Sequence, residues 1–424
     1  MHLKLKFMRD FEMLDGTVIR SRLLAPKLSS TYLFWVTLVM ILTASIFSYL
    51  TGYYGGDLYG VSYRVDSYSL FFFTIVYLSG LFVSLYISNK LSKIKISEYY
   101  FCYRNKIILS LVFIFFSCLV VFLALWGGVG TIQRGVTTNR YADLFFALFD
   151  PYIFIILMIY FLYSNIGDGL FERFFLAFLS FIYLFLILRS GFTGFLILML
   201  PIFILVLLRF FSKMMVVIML GLSIFLFPIV RVWKWVIGSG LNLSDIDATV
   251  LFIATRGVIE RFSAVPNMVY IENYLTNKEV LLDTSYLPFF QGYIGSFIHK
   301  LFFSSSVSLN TLYLHQTMQN TDTDSNSTFP LLSYFSLDLN IGFLTIIYCA
   351  ILTIILACML TPIFGKNLIG RQLMSFFLFY VIFFYVFNGW LWAVWGVIQA
   401  VFFFSILLMF AGKLSQASIL RKEC

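Results

Sequence analysis

Phe174–Leu208 reads FFLAFLSFIYLFLILRSGFTGFLILMLPIFILVLL, about 35 apolar residues broken by Arg189 and the small residues beside it. As one helix it would measure about 52 Å at 1.5 Å per residue, far beyond a hydrocarbon core of about 30 Å. As two spans it is somewhat short, so the hairpin at Arg189-Ser190-Gly191 is expected to dip below the outer surface, with Gly191 and Gly194 permitting the tight turn. A guanidinium held that deep is costly and usually functional. The competing explanation is an arginine that snorkels to headgroups.

The same pattern runs along the whole chain. Of its 424 residues, 61% are hydrophobic and 12% charged, with 52 Phe. A soluble domain of that balance would expose apolar surface it could not cover, so a lipid bilayer is the expected solvent for most of the chain. About ten segments are apolar enough to cross, near Tyr32–Leu50, Ser69–Ile87, Ile107–Trp126, Leu144–Tyr163, Phe174–Leu188, Phe192–Leu208, Met214–Val230, Ile341–Leu360, Met374–Phe387 and Leu391–Phe410. The expected fold class is an all-α polytopic membrane protein of about ten transmembrane helices with one large periplasmic loop. Residues 1–30 form a cytoplasmic N-terminal lead-in, 31–230 hold spans one to seven, 231–330 form the loop, 331–411 hold the last three spans, and 412–424 are a cytoplasmic tail.

The net charge of +9 does not point to nucleic acid. Lys4, Lys6, Arg9, Arg20, Arg22 and Lys27 precede the first span, and Lys90, Lys93, Lys95, Arg104 and Lys106 lie between the second and third. The later cluster of Arg173, Arg209, Lys213, Lys366, Arg371, Lys413, Arg421 and Lys422 falls in even-numbered gaps or at the tail. Ten spans with both termini inside place all of these in the cytoplasm, as the positive-inside rule requires. The five cysteines, Cys102, Cys118, Cys349, Cys358 and Cys424, fall in spans or on the inner side, so no disulfide framework is expected in the outer loop. Only His2, His299 and His315 occur, with no CxxC, HExxH or Walker sequence. No metal, cofactor or built-in ATPase is therefore expected.

Most of the outward polar chemistry sits in the loop Arg231–Pro330. It opens with Arg231-Val232-Trp233-Lys234-Trp235, where Arg231 and Lys234 share a helix face; a membrane anchor and a phosphate site explain this equally. From Ala248 the chain reads ATVLFIATRGVIERFSAVPN, expected as a short surface helix against the membrane. Arg256 and Glu260 are four apart and would pair. Arg261 is rotated about 140° from Arg256, so the two converge on one ligand only if Gly257 breaks the helix or the ligand wraps around it. Gln291–Phe302 carries Gly292, Gly295, His299 and Lys300, and Asn320–Thr328 is polar and loop-forming. Tyr270, Tyr274, Tyr286 and Tyr293 suit either interfacial anchoring or stacking on sugar faces.

In this order, the Arg-bearing hairpin, the long outer loop with Thr255-Arg256, the Gly-rich stretch ending His299-Lys300, and Ser327-Thr328-Phe329-Pro330 leading to Asn340-Ile341-Gly342 resemble the bacterial O-antigen polymerase family of oligosaccharide repeat-unit polymerases. The chain departs from that pattern where Phe192 fills a slot that relatives often give to Arg, Arg189 lying three residues upstream. The resemblance implies a fold similar to lipid-dependent membrane glycosyltransferases and a place in the bacterial inner membrane. It implies undecaprenyl-diphosphate-linked oligosaccharides as substrates, transfer of the growing glycan to a fresh carrier-linked repeat unit, and a polysaccharide chain-length regulator as partner.

Breaking a glycosyl–diphosphate bond requires stabilising the charge that builds on the leaving diphosphate. Arginine suits this, being always cationic and forked to match phosphate. Arg189, Arg256, Arg261 and Lys300 are the candidates for the diphosphate. Arg256, Arg261, Glu260 and His299 are the candidates for catalysis, with Glu260, His299 and His315 the available bases. An O-antigen ligase would use the same donor with another acceptor; the absence of His between His315 and the next span favours polymerase. A lipid-linked oligosaccharide flippase would more commonly show internal repeats and mid-membrane charges, neither evident here.

Overall fold

The computed structural model describes residues 2–52, 65–94, 101, 106–128, 139–165, 169–190, 193–239, 246–260, 264–276 and 330–423. Among the described residues every regular element is helical. In chain order they are α1 (His2–Thr51), α2 (Ser67–Leu91), α3 (Lys106–Gly127), α4 (Arg140–Leu148), α5 (Pro151–Asn165) and α6 (Leu170–Ser190), then a 3₁₀ segment (Thr193–Met199) running into α7 (Leu200–Phe210). There follow α8 (Lys213–Ser223), α9 (Leu226–Ser239), α10 (Ala248–Glu260) and α11 (Ala264–Thr276). After a short 3₁₀ turn (Leu331–Ser333) come α12 (Tyr334–Leu337), α13 (Leu339–Phe364) and α14 (Leu368–Tyr380). A π-helical segment (Val381–Phe387) extends α14, and α15 (Leu391–Glu423) ends the chain.

The apolar pattern decides which helices are central. α5, PYIFIILMIYFLYSN, is apolar on all sides, and every residue from Tyr152 to Ser164 is buried, as befits a helix with no polar face. The span Leu368–Phe387 is likewise enclosed, with 78% of its apolar window buried against 28% for α2. α1, α2, α3, α6, α13 and α15 surround this pair. They turn Phe71, Phe82, Phe115, Phe181 and Phe343 outward, a surface that only hydrocarbon can solvate. Among the described residues seven helices are long and apolar enough to cross a membrane, or up to nine if each of two bent pairs is one span. The chain is an all-α, multi-pass membrane protein.

Polar residues set where helices start and bend. Asp150 precedes Pro151, which disfavours helix at position 150, and its Oδ1 accepts from the amides of Tyr152 and Ile153 at 3.0 Å each. This is an N-cap with proline at the first helical position. It splits the apolar run 144–163 into α4 and α5, bent by 43°. The run 214–230 is also divided, between α8 and α9, which are bent by 50°. In α1, Pro26 has no amide to give the Arg22 carbonyl four residues back; the Tyr163 hydroxyl donates to that carbonyl instead, at 3.1 Å.

α9 continues as helix through Arg231-Val232-Trp233-Lys234-Trp235 to Ser239, in keeping with the helical spacing of Arg231 and Lys234. One later stretch differs from expectation. The stretch 249–267 is not one surface helix: α10 ends at Glu260, and Ala264 begins α11. The reason lies in the apolar spacing of Val265, Met268, Val269 and Ile271, which are buried at 0–1% exposure where α11 packs on α1 and α2. α10 keeps Leu251, Phe252 and Ile253 exposed, as a helix lying in a membrane interface does.

Candidate active site

Arg189 occupies the last turn of α6. Its Nη2 donates to the Ala124 carbonyl at 2.9 Å, and Ala124 stands one turn before the end of α3. The guanidinium is thus turned toward the last turn of α3. Its Nε is buried without a hydrogen-bond partner. The next residue, Ser190, is buried; its hydroxyl donates to the Ile187 carbonyl at 3.2 Å and hydrogen bonds with the Tyr152 phenol.

The chain returns from this turn as the 3₁₀ segment, whose geometry lengthens a short span. Its seven residues rise about 2.0 Å each and the eleven of α7 about 1.5 Å each. Together they reach about 30 Å, the thickness of a hydrocarbon core. A 3₁₀ run of seven residues holds its backbone bonds poorly, and irregular backbone at membrane depth persists only where protein supplies partners. Three phenols from three helices do so. Tyr183 of α6 donates to the Phe195 carbonyl at 2.9 Å, Tyr160 of α5 donates to the Leu198 carbonyl, and Tyr380 of α14 reaches the Gly194 carbonyl at 3.4 Å. Gly191 lies outside the described residues. Gly194 has open space where a side chain would project and no left-handed φ, so the return of the chain does not require glycine there.

Asp150 stands beside this turn. Tyr152, two residues on, stacks its ring on Phe195 at 4.7 Å between centroids and 16° between planes. The same phenol lies within electrostatic reach of both Asp150 and Arg189. Asp150 also acts on Tyr183, Tyr380 and Tyr385, so one carboxyl group and one guanidinium share a cage of phenols. Behind it the π segment lies on α2, where the Tyr77 hydroxyl donates to Asn388 Oδ1. Asn388 Nδ2 in turn donates to the Phe384 carbonyl at 3.1 Å. Charged groups walled by apolar helices interact with charged ligands far more strongly than they would in water.

The candidates from the stretch 231–330 are elsewhere. Arg256 is half-buried on α10, its guanidinium 5.8 Å from the centre of the Phe47 ring near the C-terminal end of α1. α10 runs unbroken through Gly257, so that residue does not redirect the helix toward Arg261. Glu260 closes α10 with its side chain outside the described residues, and Arg261, His299, Lys300 and His315 lie outside them altogether. Arg189 therefore rests on α3 and Arg256 on α1. The sequence reading did not single out Asp150 or the phenols; the dipeptide Asp150-Pro151 inside an apolar run was the available signal. Among the described residues no group of three or more His, Cys, Asp or Glu could hold a metal.

Comparison with protein-family models, curated proteins and solved structures finds no match for the chain.

Proposed function

We propose that this protein is a surface-polysaccharide polymerase of the O-antigen type in a bacterial inner membrane. It moves a growing glycan from undecaprenyl diphosphate to a new carrier-linked oligosaccharide repeat unit at the periplasmic face. The observation that carries this reading is Arg189: a guanidinium turned into the bundle at a helix break, tied by one backbone carbonyl, with its Nε unsatisfied. An unsatisfied cationic donor in an apolar setting calls for an anionic partner, and a lipid diphosphate arriving from the bilayer supplies one. The reading includes ten spans with both termini cytoplasmic, the apolar helix Gly194–Phe210 serving as one of them.

The acceptor hydroxyl of the incoming unit bonds to the anomeric carbon of the donor glycan while the bond from that carbon to the diphosphate breaks. The electron pair leaves with the diphosphate, and Arg189 meets the charge that develops there. Arg256, Arg261 and Lys300 are the loop's further candidates for the same group, and Glu260 and His299 are its candidates for the base. No metal enters this scheme because arginine forks take its place. A chain-length regulator would set how many transfers occur.

The test is to incubate the purified full chain in lipid vesicles with synthetic carrier-linked repeat units and no nucleotide. A ladder of glycans spaced by one repeat is expected. Movement of the units across the membrane without new glycosidic bonds would establish a flippase instead.

A further inference from the structure

The two oxygens of the Asp150 carboxyl group are used differently. Oδ1 is spent on the amides of Tyr152 and Ile153. Oδ2 makes no hydrogen bond to any described residue, and Asp150 keeps some accessible surface although it lies deep among the helices. A cap alone does not explain an acid here. Asn and Ser cap a helix as well as Asp, without the cost of holding a charge inside an apolar bundle. The open oxygen also lies in a particular company: Tyr152, two residues on, stacks on Phe195 and hydrogen bonds with Ser190, the neighbour of Arg189. A ligand that brings its diphosphate to Arg189 thus brings the atoms next to that diphosphate toward Asp150. In a glycosyl diphosphate those atoms are the anomeric centre and the hydroxyl that attacks it.

We propose that Asp150 is the proton acceptor for the attacking sugar hydroxyl, an assignment that rests on the polymerase reading and selects this residue over Glu260 and His299. Oδ2 takes the hydroxyl proton as the oxygen bonds to the anomeric carbon. The anomeric carbon–oxygen bond to the diphosphate breaks, its electrons leave with the diphosphate toward Arg189, and Asp150 then releases the proton to water. Among the described residues the ionisable groups around Asp150 are Tyr152, Tyr183, Tyr380, Tyr385 and, across Tyr152, Arg189. Phenols and guanidinium keep one protonation state in acid, so within this cage an acidic limb in the rate reports the carboxyl group.

Ladder formation by the full chain in vesicles is measured for wild type, Asp150→Asn, Asp150→Ser and Asp150→Glu across pH, with thermal unfolding alongside. Asn and Ser preserve the cap and are expected to unfold as wild type does. They are expected to lower kcat by about 100-fold or more with the donor KM changed little, and the residual Asp150→Asn rate loses the acidic limb. Asp150→Glu is expected to recover part of the rate. An Asp150→Asn rate within about threefold of wild type, or an unchanged acidic limb, overturns the assignment while leaving the polymerase intact. Wild-type protein that forms no ladder overturns both.

Discussion

The Tyr183 hydroxyl donates to the Phe195 carbonyl at 2.9 Å, joining the last turns of α6 to the first turn of the segment that returns from it. With Tyr160 on Leu198 and Tyr380 on Gly194, it holds a 3₁₀ backbone at a depth where water is scarce. The turn that carries Arg189 is therefore fixed from three sides by neutral donors. Tyr183→Phe and Tyr160→Phe are each expected to lower stability by about 0.5–1.5 kcal/mol, and Tyr380→Phe by less because its bond is long. Thermal unfolding in a mild detergent measures this. Equal and negligible effects of all three would show that the carbonyls find other partners.

The π segment depends on close approach to α2. A side chain at Gly80 would collide with the Phe387 ring, and the Tyr77 hydroxyl holds Asn388 from one turn away. Gly80→Val is expected to cost about 1–3 kcal/mol through overpacking, and Tyr77→Phe about 1 kcal/mol. Both should also slow any reaction at the phenol cage, because Tyr380 and Tyr385 flank the start of the π segment.

The docking of α11 carries a pH dependence. Burial, and secondarily the neighbouring charge of Asp66, raise the Glu272 carboxyl above the ordinary glutamate range. A carboxyl that binds its proton more tightly when folded favours the docked state in acid, and that advantage is lost as pH rises from the ordinary glutamate value through the raised one. Asp66 has the opposite sign. The Ser69 amide lowers it, so its contribution is present above the ordinary aspartate range and is lost as pH falls. Glu272→Gln is expected to flatten the first dependence and to protect α11 amides from hydrogen exchange at neutral pH, by about 1 kcal/mol or less.

Much of the fold could be read from residues alone, and the failures have physical causes. The apolar runs located the helices, since a segment with no polar face has nowhere to go but lipid or core. They also led to a division at Arg189, and the structure ends α6 at Ser190. Bends were invisible to a count of apolar residues, yet Asp150-Pro151 encodes one through capping and a fixed proline φ. α11 was misread as part of a surface helix because its core-facing residues follow a polar stretch around Arg261. The phenols were beyond reach: a tyrosine in an apolar run looks like an interfacial anchor, and only tertiary packing shows which carbonyl it serves.

The proposed orientation, with both termini cytoplasmic, rests on the distribution of charges and can be checked by fusion. Alkaline phosphatase joined after Arg256 is expected to be active in the periplasm, and after Lys366 or Lys413 inactive. Activity in the reverse pattern would put the arginines on the wrong side of the membrane for a substrate that awaits them outside.

The most direct measurement is single-turnover release of undecaprenyl diphosphate from a bound donor, by wild type, Arg189→Ala and Arg256→Ala in vesicles. One carrier released per new glycosidic bond is expected of wild type. Each variant is expected to bind donor yet release carrier about 100-fold or more slowly, the usual cost of removing a donor that meets developing charge. Release at the wild-type rate from both variants would contradict the claim that these guanidinium groups carry the departing diphosphate.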